Sequence, residues 1–546
     1  MRSDTKIVLP DARYTCELYP YERLFSPIKC GRLTLKNRVI AIPPRQLYGE
    51  DGDGFALRAA AGGAALVCAD YGFDAGLCRS VHALGSRMFA SLAFDKLRKL
   101  CRNAAAAVKT GCDGVCLDLR SVSESHAMKI ITAVRRTIGA EVAIMCRLSA
   151  LDSYAAIAQS GADMLSVEPS AYAPCEIMPA GCLLDAARRA KQSAAIAVAA
   201  AGKLGYPDIA ETALQNEMCD MIILSSSLLA DPDWCKKAQS GKSGDIAPYI
   251  NPQAALLTGA CTEADNKKRI AVVGGGASGM GFAVCAANRG HSVSIFESGG
   301  KLGRRLYDEG SFSLKADTQS YRQWLIRMLC RSKNAEIYLN SYVDANYLLE
   351  RGYDAVVYAN GARQPSPPDI PGWGDIPYAP LWVLAQSQMQ LSGKCVAILG
   401  GGKAACECAL RLRMQCGAQR VTLIEQGAKI MRECVSAERR YFEKALEAQG
   451  VEVLTAATPL RISEGALFVR QYCHAALGTE PSGECFVRHI DCELIVCAQE
   501  ETAELSQFMA AQREFPGEEI YNLTGSFSPC DLAAATCAAY RLASKI

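Results

Sequence analysis

Over residues 38–225, short unbroken apolar runs alternate with stretches whose apolar residues recur every three or four positions. The runs cover 38–43, 65–71, 86–92, 113–119, 141–148, 163–168, 194–199 and 220–225. Between most of them lie Ala-, Lys- and Arg-rich segments such as 95–109 and 123–138, which favour helix. Strands without polar alternation are buried on both faces, as in a parallel sheet covered by helices. Eight such units predict an N-terminal (β/α)8 TIM barrel, α/β in class. Chemistry in such a barrel sits at the C-terminal strand ends. Those ends carry Arg45, Asp70, Asp118, Arg120, Arg147, Glu168 and Ser225 to Ser227.

The pattern changes after a polar link over 241–268. An apolar strand, Arg269 to Val273, runs into Gly274-Gly275-Gly276-Ala277-Ser278-Gly279, and a second strand ends in Glu297. This is a phosphate-cradling turn between strand and helix. Its first glycine allows the tight bend, its second lets a pyrophosphate approach the backbone, and its third lets helix pack on strand. The anion sits on the helix N-terminus, and the carboxylate takes a ribose hydroxyl. A second turn follows the strand 394–399: Gly400-Gly401-Gly402-Lys403-Ala404-Ala405, with Glu425 closing the next strand. Two turns predict two Rossmann-like domains, one inserted in the other, with 354–362 and 521–526 returning to the first. Glu425 repels a 2′-phosphate, so NADH is expected over NADPH, although Lys429 and Arg432 lie nearby. The expected division is 21–245 for the barrel, 268–385 and 499–546 for the first nucleotide domain, and 393–498 for the inserted one.

Composition narrows the function. A formal net charge of +2 favours no polyanionic partner, and no basic tract suggests nucleic acid. The polar start, Met1 to Pro20, is no signal peptide, and no run approaches the ~20 apolar residues that span a membrane. A cytoplasmic protein acting on a small-molecule substrate or electron acceptor is expected, and an oligomer is compatible with this. The 26 cysteines are scattered without a C-x-x-C pair and read as reduced, buried thiols. His82, His474 and His489 show no metal-ligand spacing, so no metal site is expected, while His126 reads as a surface residue on a helix and His291 as a structural one before a strand. Cys406 and Cys408 lack the spacing of a redox pair.

Several segments, in order, resemble the NADH:flavin oxidoreductases of the 2,4-dienoyl-CoA reductase type, in which an old-yellow-enzyme-like barrel is fused to an FAD- and NAD-binding half. They are Tyr21 to Lys29 with Leu33 to Arg38, Leu228 to Asp233, Leu302-Gly303-Arg304-Arg305-Leu306, and Asp369-Ile370-Pro371-Gly372. The resemblance implies electron flow from NADH through FAD, an iron–sulfur cluster and FMN to an activated alkene. It implies FAD contacts at Gly274, Gly276, Ala277, Ser278, Gly279, Glu297, Gly303, Arg304, Val343, Asn360, Gly361, Gly525 and Ser526. NAD contacts fall at Gly400, Gly402, Ala405 and Glu425.

The chain departs from that pattern where the chemistry is concentrated. Only Cys261 follows the barrel where cluster thiolates should converge, so no 4Fe-4S cluster is expected. Asp118 stands where the first catalytic histidine belongs, and an ionised aspartate hydrogen-bonds an enone poorly. Ser91 replaces a glutamine at the flavin edge, and Ala201-Gly202 and Ser225-Ser226 replace the phosphate turns. FMN remains a candidate through Arg147, Ser225 and Ser226, with Arg147 either stabilising a reduced flavin or neutralising Glu168 and Asp118. Arg147 and Asp118 are the catalytic candidates. Three functions follow. The first is an FAD-dependent oxidoreductase taking hydride from NADH. The second is a non-catalytic or regulatory descendant that binds flavin or nucleotide without turnover. The third is a barrel that holds another phosphorylated ligand on Ser225 to Ser227.

Overall fold

The computed structural model describes residues 21–44, 52–69, 74–149, 154–169, 178–250, 262–304, 306, 316–363, 368–381, 390–434, 436–474, 482–498, 502–524 and 532–546. They form two compact units, divided between Gly259 and Ala260.

The N-terminal unit is a closed barrel of eight parallel strands. These are Val39–Ala41, Leu66–Ala69, Arg87–Ala93, Gly114–Asp118, Ala143–Leu148, Met164–Val167, Ala197–Ala200 and Met221–Leu224. All eight apolar runs form strands, most of them shorter than the runs themselves. Side chains alternate between two cores, as the two-residue strand period requires. Ile40, Leu66, Phe89, Cys116, Met145 and Met221 fill the interior. Val39, Val67, Met88, Val115, Ile144 and Ile222 face the helical shell. Gly114 makes room for the Phe89 ring, since a Cβ there would lie 2.7 Å from it. A hairpin of Ile28–Cys30 and Leu33–Leu35 adds Cys30 and Leu35 to the interior.

The C-terminal unit holds two parallel five-stranded sheets. The first runs Ala335–Tyr338, Ser292–Phe296, Arg269–Val273, Ala355–Tyr358, Glu519–Asn522. Its last strand comes from the chain's far end and pairs Tyr521 with Val357. The second runs Tyr378–Pro380, Leu494–Cys497, Cys395–Leu399, Arg420–Ile424, Glu452–Leu454. In each sheet the strand feeding a glycine turn lies centrally, which places the turn at the C-terminal edge where such sheets bind ligands. An antiparallel sheet of Ala457–Ser463, Ala466–His474 and Ser482–Asp491 packs Leu467, Val469 and Ile490 against Ala397 and Ile495. No described helix is long and apolar enough to cross a membrane.

Candidate functional site

The first glycine turn is built as its residues require. Gly274 has φ +113°, and a Cβ there would collide with the Ala359 carbonyl. Gly279 lies so close to the Gly274 carbonyl that no Cβ fits between helix Ala277–Asn288 and the strand before it. Gly276, the residue that caps this helix, differs: a Cβ there would meet nothing within 4 Å among the described residues. Packing therefore demands the first and third glycines, while the second leaves backbone exposed to an approaching anion.

Glu297 braces the turn. Gly275 N–H donates to its Oε2 at 2.8 Å and Gly299 N–H to its Oε1 at 2.7 Å. Gly303 N–H donates to the Gly275 carbonyl at 2.8 Å, clipping the Leu302–Arg304 segment to the turn. Arg322 holds that segment from behind through the carbonyls of Leu302 and Gly303. Arg304 is exposed, whereas Val343 is buried in the apolar cluster with Phe296 and Tyr358. At the end of Ala355–Tyr358, Asn360 N–H donates to Thr524 Oγ1 at 2.9 Å, and its side-chain amide donates to Gln507 Oε1 at 2.6 Å. Asn360 Oδ1 is buried and has no hydrogen-bond partner among the described residues. Gly361 beside it is exposed, with φ +83°. Gly525 and Ser526 lie outside the described residues. Gly275, Arg322, Gln507 and Thr524 were not singled out by the sequence reading. Gly275 and Thr524 sit next to residues that were, while Arg322 and Gln507 arrive on helices with no motif to mark them.

The second turn repeats the plan. Gly400 has φ +115°, and Gly401 N–H donates to Glu425 Oε2 at 2.8 Å. Gly427 N–H donates to Glu425 Oε1 at 2.6 Å, and Arg432 lies 3.5 Å from the same oxygen. Ala405 is buried in the helix Lys403–Met414, behind the Gly402 cap. Cys406 and Cys408 are also buried there, and burial pushes the Cys408 thiol up to about 12, far from a reactive thiolate.

The barrel candidates meet at the ends of adjacent strands. Arg147 donates from Nε and Nη2 to Glu168 at 2.8 and 2.7 Å. Arg120 donates in the same forked way to Asp118, at 2.8 and 2.6 Å. Cross-links close the set, with Arg120 at 3.5 Å from Glu168 and Arg147 at 3.9 Å from Asp118. Ser166 Oγ adds a hydrogen bond to Glu168. Two cations thus meet two anions, both in and next to the barrel interior. Burial alone would raise the Asp118 pKa, but the hydrogen bond from Arg120 and the Arg147 charge overcome it and hold it at about 2. Asp118 is thereby fixed as an ionised carboxylate and is a poor proton carrier near neutrality. Ser91 is buried inside the barrel. Ser225 precedes a helix, Ser226–Ala230, of only five residues. Arg45, Asp70 and Cys261 lie outside the described residues. Of the histidines, His82 pairs with Asp113, His489 with Asp491, and buried His291 accepts from Lys268 N–H. Among the described residues no group of three or more His, Cys, Asp or Glu side chains is placed to hold a metal.

Comparison with known proteins agrees with this architecture. A family model for NAD(P)-binding Rossmann-like domains matches residues 272–320. The model for pyridine nucleotide-disulphide oxidoreductases matches residues 321–498. A bilirubin reductase of Mediterraneibacter gnavus is 28% identical over 295 residues, 49% of this chain and 44% of that one. An NADH oxidase of Thermoanaerobacter brockii is 28% identical over 343 residues, 55% of this chain and 52% of that one. The matches thus span about half the length of these curated relatives. A solved 2-naphthoyl-CoA reductase shares the fold, with a TM-score of 0.79 at 18% identity over 96% of this chain and 100% of that one. The domain matches and the shared fold fit an old-yellow-enzyme-like barrel joined to an FAD- and NAD-binding half, at an identity that marks this chain as divergent from its relatives.

Proposed function

We propose that this chain is an FAD-dependent oxidoreductase that takes hydride from NADH. The observation that carries the reading is the duplicated turn: two helix N-termini, each preceded by a left-handed glycine and braced by a glutamate through two backbone N–H groups. The first turn fits FAD. Among the described residues its Gly276 backbone is open to a pyrophosphate, and Asn360 Oδ1 is a buried acceptor without a donor. When bound, the flavin supplies a ring that accepts hydride and releases electrons in one- or two-electron steps. The protein's part is to orient it. Glu297 holds the turn, the Gly303 clip fixes the neighbouring loop, and Gln507 and Thr524 hold Asn360. At the second turn Glu425 disfavours the extra phosphate of NADPH. Abundant buried thiols suit a reducing cytoplasm.

Among the described residues, the barrel candidates do not fit FMN. Arg147, the cation proposed for a flavin edge, gives two of its donor nitrogens to Glu168, and the serine turn opens a helix too short to hold a phosphate firmly. The barrel is therefore assigned no flavin step, and with one post-barrel cysteine no four-iron cluster. The saturated ion-pair set also favours the second reading, in which the barrel is a scaffold. The test is quantification of FAD, FMN and iron per chain, followed by NADH addition under argon. One FAD, no FMN, no cluster iron and bleaching of the flavin band are expected. A colourless protein that takes up no FAD rejects the oxidoreductase, and bound FAD that NADH leaves oxidised favours the non-catalytic descendant.

A further inference from the structure

The two turns differ at the helix N-terminus. At the first, nothing among the described residues approaches a Cβ placed on Gly276. At the second, a carboxylate of the chain itself lies on the helix N-terminus: Lys403 N–H donates to Glu433 Oε1 at 3.1 Å. The same oxygen would lie 3.6 Å from a Cβ on Gly402. Free N–H groups and the helix dipole make this a seat for one anion, and a dinucleotide's pyrophosphate needs the same N–H.

Glu433 is held there by a built loop. Met431 N–H donates to the Gly401 carbonyl at 2.8 Å, tying the loop to the turn. Met431 is buried with φ +47°, a left-handed conformation that a non-glycine residue adopts only when its surroundings impose it. Arg439, on the helix Ser436–Ala448, supplies that constraint by donating to the carbonyls of Ile430, Met431 and Cys434. Lys403 cannot draw a phosphate with a free ammonium either, because its Nζ lies 2.7 Å from Glu438. The carboxylate is thus delivered to the seat by buried packing and three carbonyl contacts, while Glu433 itself remains exposed and able to swing away.

We propose that Glu433 is an affinity- and specificity-determining residue of the second nucleotide site, an internal anion that a phosphate-bearing ligand must displace. The inference rests on the reading of the second turn as a nucleotide site. Displacement sets a threshold: a ligand gains the seat only if its pyrophosphate outcompetes the tethered carboxylate, whereas a ligand without phosphate leaves Glu433 in place.

The test is calorimetric titration of the FAD-loaded chain and of its Glu433→Ala and Glu433→Gln variants with ADP-ribose and with adenosine. ADP-ribose carries the pyrophosphate but cannot reduce a flavin, so binding is read apart from turnover. Glu433→Ala should tighten ADP-ribose about two- to fivefold, the typical range of an exposed anion's interaction with a helix N-terminus. Glu433→Gln should do so by less, since its amide oxygen can still accept from Lys403 N–H. Adenosine affinity should not change in either variant. Glu443→Gln removes an exposed charge from the helix Ser436–Ala448 without touching the seat and should leave ADP-ribose binding unaltered. Unchanged or weakened ADP-ribose binding in both variants overturns the proposal while leaving the site's assignment intact. Equal tightening of adenosine, or tightening in Glu443→Gln, overturns it as a general charge effect. Failure of every form of the protein to bind ADP-ribose or NADH removes the nucleotide site together with the proposal.

Discussion

Arg147 shows how a single side chain's role depends on its neighbour. With Glu168 it forms a buried, two-pronged ion pair, both residues less than a tenth exposed. Removing one partner of such a pair strands a desolvated charge, at a cost of about 3–5 kcal/mol. Glu168→Ala is therefore expected to lower barrel stability by that amount in urea melts. The apolar double replacement Arg147→Met with Glu168→Met should recover most of the loss, because neither charge then has to be buried. Asp118 gives a second, pH-resolved expectation. Its pKa is depressed from 3.8 to about 2, so the folded state holds fewer protons than the unfolded chain between those values. The stabilisation is complete above pH 3.8 and is lost as pH falls through about 2. Asp118→Asn should flatten the stability-versus-pH curve in that window. Asp118, Arg120, Arg147 and Glu168 were all legible as strand-end residues, but a strand-end position does not say which charges will be spent on one another.

At the scale of the element, the glycine turn separates packing from binding. Gly274, Gly276 and Gly279 look alike in sequence, yet their surroundings differ. Gly279→Ala drives a Cβ into the Gly274 carbonyl, so helix Ala277–Asn288 must move off its strand. Loss of stability is expected, of about 1–3 kcal/mol by the usual cost of overpacking, with FAD binding lost alongside. Gly276→Ala meets no protein atom among the described residues, and its φ of −76° suits any side chain. Its melting temperature should match the parent's without FAD, while FAD affinity measured by fluorescence quenching falls. Equal stability loss in both variants would contradict the division of roles. The motif was legible because tight turn, close approach and close packing each require glycine. The Gly303 clip, and Arg322 and Gln507 behind the turn, were not, since long polar side chains reach across elements without any spacing rule.

At the scale of the molecule, a ligand that binds only the folded state stabilises the unit it occupies. FAD at a hundred times its dissociation constant adds about 2.7 kcal/mol. Calorimetric scans with and without FAD should therefore raise the transition of the unit spanning Ala260–Ile546 and leave that of Met1–Gly259 in place. A shift confined to the barrel transition would move the cofactor to the barrel and overturn the assignment of the first turn. Read alone, the chain determined its architecture: eight apolar runs with helices between them close into a barrel, and two strand–turn–helix signatures make two nucleotide folds. Those features are local, set by periodicity and by glycine's missing Cβ, so a linear pattern records them. Only the tertiary structure decided how the chain's charges are used. Asp118, Arg120, Arg147 and Glu168 come from three adjacent strands and neutralise one another, and Glu433 folds back 30 residues onto Lys403 N–H. Electrostatic partnership depends on distance and desolvation in three dimensions, and neither has a signature along the chain.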